Sequence, residues 1–98
     1  MALRIDLEGN EITALKQAAD WRGKEVLEIG CGDGRLTRRL ARLGAHIQAI
    51  EPQAELIDKA RRQLPKSLAP RVQFNVGKVS RLEYPKETFD LVLFSWSL

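Results

Sequence analysis

The stretch EVLEIGCGDGRLTRRLARLG, residues 25–44, decides the fold. Its first five residues are too few for a helix and apolar at Val26, Leu27 and Ile29, which predicts a buried parallel strand. Gly30, Gly32 and Gly34 follow at once, and glycines there allow positive φ and let a ligand approach the backbone. Beyond them Leu36, Leu40 and Leu43 recur at helical spacing and Gly44 supplies a stop, so a crossover helix is expected over 35–43.

On either side of this unit the same alternation continues. Upstream, Ile12, Leu15, Ala18 and Ala19 share one face of a leading helix expected over 11–20. Downstream, residues 46–50 read as a second strand, closed by Glu51-Pro52 because proline cannot continue a ladder. Leu56, Ile57, Ala60 and Leu64 mark an amphipathic helix over 53–64, with Asp58, Lys59, Arg61 and Arg62 turned outward. Residues 72–76 make a third strand, 77–83 a loop with one helical turn, and 89–94 a strongly apolar fourth strand. Right-handed crossovers then give an α/β domain over 1–98, a Rossmann-like doubly wound parallel sheet of order 3-2-1-4 with flanking helices.

Composition sets the outer bounds. Of 98 residues, 44% are hydrophobic and 30% charged, the balance of one globular domain. The single cysteine, Cys31, forms no internal disulfide, and no Cys/His cluster has metal-ligand spacing, so no metal is expected. The N-terminus lacks an apolar signal core and no run approaches the ~20 apolar residues of a membrane helix, which makes the cytoplasm the expected compartment.

Ligands of open α/β sheets bind beyond the carboxyl ends of the strands at the switch point, here between the first and fourth strands, where the glycine loop falls. The loop reads G-x-G-x-G; a dinucleotide fingerprint would place its third glycine at position 35, which is Arg35. Glu28, which opens the loop, would repel a pyrophosphate and attract an ammonium or sulfonium group. Glu51 lies 17 positions after Gly34, near the offset at which a carboxylate reaches ribose hydroxyls, and its two oxygens suit a vicinal diol.

With these residues in place, the runs VLEIGCGDGRLTRRL, IQAIEPQAELIDKAR and VQFNVGKVSRLEYPKETFDLVLFSWSL resemble class I S-adenosylmethionine-dependent methyltransferases of the type 11 kind, over nearly the whole chain. The resemblance implies that S-adenosyl-L-methionine is the cofactor and that its methyl group passes to an acceptor the sequence does not identify, a small molecule in preference to RNA. It also implies that Glu28 serves the methionyl ammonium through water, that the backbone at Gly30, Cys31 and Gly32 lines the cofactor, that Glu51 holds the ribose diol and that Pro52 contacts the adenine side. Members of that family usually carry an acidic residue after the third strand; this chain has Gly77-Lys78-Val79 there. Lysine only donates hydrogen bonds, so adenine recognition falls to the Val79 backbone and apolar packing beside Lys78. The resemblance further implies a cofactor-binding half without the strands that grip the acceptor, and no catalytic base is assigned.

Other residues read more plainly. Cys31 fits as a small filler of the loop, and His46 is given no role. Arg35, Arg38, Arg39 and Arg42 form a basic stripe, a solvated helix face or, alternatively, a polyanion contact. Trp96 is placed near the switch point. A different class of reading is a non-catalytic assembly module, with the fourth strand as an apolar edge for homo-oligomerisation or a partner chain. A nicotinamide-dependent oxidoreductase is disfavoured by Arg35.

Overall fold

A computed structural model describes residues 20–78 and 88–95, together with the backbone of residues 3–6. The helix expected over 11–20 and the turn expected within 77–83 fall, apart from end residues, outside the described residues, as do Val79 and Trp96.

Five parallel strands form one sheet: β1 (Leu3–Asp6), β2 (Glu25–Ile29), β3 (His46–Glu51), β4 (Val72–Val76) and β5 (Leu91–Phe94), in the order β1-β5-β2-β3-β4. The expected 3-2-1-4 arrangement is the β4-β3-β2-β5 part of this sheet. What the sequence reading lacked is β1, which pairs with β5 in the register Leu3↔Leu91 to Asp6↔Phe94. The fourth expected strand is therefore flanked on both sides within the chain, and the free edge on which the assembly reading relied is taken by β1.

Helix α1 (Arg35–Arg42) links β2 to β3, and α2 (Ala54–Gln63) leads from β3 through a short 3-10 turn at Ala69–Arg71 into β4. Both helices press apolar residues onto the same sheet face: Leu40 and Ala41 from α1, Ile57 and Ala60 from α2, against Val26, Ile47, Ala49, Phe74 and Leu93. Burying a side chain the size of Leu40 or Ile57, both fully enclosed, stabilises the fold by about 1.5–3 kcal/mol. Leu27, Ile29, Val92 and Phe94 alternate onto the opposite face and form a second cluster with Phe89.

The element ends have local causes. The last strand begins at Leu91 and not at 89; just ahead of it the Asp90 carboxylate accepts the Glu25 amide at 2.8 Å and the Asp90 amide donates to the Glu25 carbonyl at 2.7 Å. Arg61 of α2 donates to the Phe74 carbonyl at 2.9 Å, tying the helix to strand β4 at the sheet edge.

Candidate functional site

All five strands point their carboxyl ends the same way, and the chain reverses its direction of progress across the sheet between β2 and β5. Just beyond Ile29 the backbone turns sharply. The Gly30 and Cys31 amides both donate to the Ile50 carbonyl, at 2.8 and 3.2 Å, and the Gly34 amide donates back to the Cys31 carbonyl at 3.0 Å. Gly34 sits at φ +85°, and a Cβ there would lie 3.0 Å from Phe74 Cζ and 3.2 Å from Ala60 Cβ. The loop thus needs glycine at that position for its backbone angle and for close packing on α2 and β4.

A cleft of about 590 Å³ opens above this turn. It brings together Glu28, Gly30, Cys31, Gly32, Glu51 and Pro52 from the residues singled out in the sequence. Lys78 is exposed and does not line it, and Val79 is outside the described residues. Ser95 lines the cleft from the end of β5, and Leu36 and Leu56 bring apolar surface from α1 and α2. Sequence reading missed these three as site residues, although the burial stripes of both helices had already placed both leucines on the inward sides.

Two carboxylates govern the cleft. Glu51 is 6% exposed; its Oε1 accepts the Gly32 amide and its Oε2 the Gln53 amide, both at 3.0 Å. These bonds bind the loop to the end of β3, and each oxygen retains a further lone pair for an incoming hydroxyl. Glu28 is fully enclosed; its Oε1 accepts the Thr37 hydroxyl at 2.5 Å and its Oε2 the Ser95 hydroxyl at 2.6 Å. Burial pushes the Glu28 carboxyl up to about 7, with the Ser95 and Thr37 hydrogen bonds acting the other way.

Cys31 is buried against the loop, and burial, reinforced by the Glu28 and Glu51 carboxylates, pushes its thiol up to about 12. A thiol so hard to ionise is a poor nucleophile. The basic stripe of α1 has structural uses: Arg38 donates to the Asp33 carbonyl at 2.9 Å, and Arg39 and Arg42 lie in the last turn, where cations complement the helix dipole. Among the described residues no group of three or more His, Cys, Asp or Glu side chains could hold a metal ion, and no helix is long and apolar enough to cross a membrane.

The family described as Methyltransferase domain matches residues 26–98. Magnesium-protoporphyrin O-methyltransferase of Rhodobacter capsulatus is 41% identical over 61 residues, covering 62% of this chain and 27% of that protein. Mitochondrial ubiquinone biosynthesis O-methyltransferase of Homo sapiens is 40% identical over 78 residues, covering 74% of this chain and 21% of that protein. The chain spans about a quarter of the length of these curated relatives. Among solved structures, a TehB-like SAM-dependent methyltransferase of Corynebacterium glutamicum superposes with a TM-score of 0.65 at 27% identity, over 86% of this chain and 42% of that one. Magnesium protoporphyrin IX methyltransferase of Synechocystis PCC 6803 with bound SAM shares the fold, at a TM-score of 0.70 and 22% identity, over 85% of this chain and 39% of that one.

Proposed function

The chain belongs to the methyltransferase-domain family, and from that premise we propose that its glycine loop and Glu51 bind S-adenosylmethionine as the cofactor part of a methyltransferase. The observation that carries the reading is the Gly32–Glu51 hydrogen bond, which sets a positive-φ backbone and a buried carboxylate side by side at the switch point.

The residues present fit the group. The cleft's volume lies within the roughly 300–1,000 Å³ usual for ligand pockets. Glu51 keeps acceptor capacity for the ribose diol after engaging Gly32 and Gln53. Leu36, Leu56 and Pro52 offer apolar contact to a nucleoside, and the backbone at Gly30, Cys31 and Gly32 approaches without large side chains. Glu28 lies where it would favour the methionyl ammonium, whereas two carboxylates so near would oppose a pyrophosphate. Lys78 and Val79 stay assigned to the adenine side on the resemblance alone.

When bound, the cofactor supplies an electrophilic methyl group. This chain's residues bind and orient it: Glu51 fixes the ribose, the loop backbone shapes the wall, and Glu28 complements the positive end. We assign residues 1–98 to this cofactor-binding part. The acceptor we propose is a small molecule presenting an oxygen, a choice supported by the O-methyltransferase activities named for the two curated relatives.

Isothermal titration of S-adenosylmethionine and S-adenosylhomocysteine into the chain tests the reading. Saturable one-to-one binding, weakened roughly 10-fold or more by Glu51→Ala, is expected from the loss of charge-assisted hydrogen bonds. Absence of heat of binding in a folded chain would contradict it.

A further inference from the structure

Glu28 poses a problem that its position in the cleft does not resolve. A carboxylate wholly removed from water tends to take up a proton, and a neutral acid would not attract a cation. The chain meets this with two hydroxyls from elements far apart in sequence, Thr37 on the buried face of α1 and Ser95 at the end of β5, one on each carboxylate oxygen. Both distances are those of strong O–H···O⁻ bonds. Thr37 is itself completely buried and could instead have bonded back to its own helix; its hydroxyl is committed to Glu28.

We infer that Thr37 and Ser95 are positioning residues for Glu28: their hydroxyls fix its carboxylate beneath the cleft and offset part of the cost of ionising it there, for the cationic methionyl end of the cofactor. The inference rests on the reading of the cleft as a cofactor site. Other titratable groups facing this region, among the described residues, are Cys31 and Asp33 in the loop, Arg35 and Arg38 of α1, and Glu51 of β3. Arg38 is turned to the Asp33 carbonyl, Asp33 pairs with Lys59 of α2 at 3.7 Å, and Arg35 is exposed. β5 contributes no charge here, only the Ser95 hydroxyl. The two hydroxyls are therefore the direct stabilisers of the Glu28 anion, and cofactor affinity should rise with pH as Glu28 ionises.

The test is a pH titration of the chain carrying ¹³C-labelled glutamate carboxyls, with the Glu28 signal identified by its loss in Glu28→Gln, paired with S-adenosylmethionine affinity at each pH. In the unliganded protein the Glu28 midpoint should rise by roughly one unit in both Thr37→Val and Ser95→Ala, and stay near the wild-type value in Thr37→Ser. Cofactor affinity in the two deletion variants should fall several-fold below the midpoint and converge on wild type above it, while Glu28→Gln should lose this pH dependence. Ser95 is half-buried at a strand end, so its variant reports even if Thr37→Val folds poorly. Unchanged Glu28 midpoints in Thr37→Val and Ser95→Ala, or an affinity loss equal at every pH, would overturn the inference. If wild type binds no cofactor at any pH, the cofactor reading fails, and the unliganded titration still decides whether the hydroxyls favour the ionised form of Glu28.

Discussion

The backbone amide of Gly32 donates to Glu51 Oε1 at 3.0 Å, joining a loop residue at φ +58° to the last residue of strand β3, 19 positions on. The other oxygen of the same carboxylate takes the Gln53 amide, so one side chain fixes both the glycine loop and the approach to α2. Removing it should loosen both. In Glu51→Ala the Gly32 and Gln53 amides are expected to exchange with solvent roughly 10- to 100-fold faster, the scale of one hydrogen bond to a charged group, as read by hydrogen-exchange NMR.

Gly34→Ala combines an unfavourable backbone angle with a methyl group set 3.0 Å from Phe74 Cζ. We expect a loss of about 1–3 kcal/mol in urea-monitored stability. A Phe74→Leu change in the same chain should recover the part due to crowding and leave the part due to φ.

Glu28 links stability to pH. Its carboxyl is raised from 4.5 to about 7 in the folded chain, so between those values the folded state keeps a proton that the unfolded state releases. Stability from this group is complete below pH 4.5 and falls as pH rises through about 7, by an amount on the order of 3 kcal/mol. Glu28→Gln should remove that decline, making the variant more stable than wild type at pH 8 in denaturant titrations even as cofactor binding suffers.

The strand at residues 25–29, the glycine loop and Glu51 were legible in the sequence because each has a local signal: a short apolar run, closely spaced glycines, and an acid before proline at a strand end. Strand β1 was not legible. It has four residues, and what makes it a strand is parallel pairing with Leu91–Phe94, almost the whole chain away. The Glu28–Ser95 contact spans 67 positions and left no periodic trace. Thr37 did have one, since it falls between Leu36 and Leu40 beside the inward stripe of α1, where a polar side chain needs a partner.

Cys31 lines the cleft, yet its thiol is pushed up to about 12. Reaction with a disulfide reagent at pH 8 is expected to be at least about 100-fold slower than for an unfolded thiol, and to become fast on addition of denaturant.

Leu40 is completely enclosed between α1 and the sheet. Leu40→Ala should cost about 2–5 kcal/mol in denaturant unfolding, a large share of a small domain's stability.

Adding S-adenosylmethionine to the ¹⁵N-labelled chain and following its amide resonances tests whether the cofactor seats at the Gly32–Glu51 bond. Saturable shifts are expected, concentrated at Gly30, Cys31, Gly32, Gln53 and Leu56, around the Gly32–Glu51 bond. Shifts confined to the opposite ends of the strands, at His46 and Gln73, or no shifts at millimolar cofactor, would contradict it.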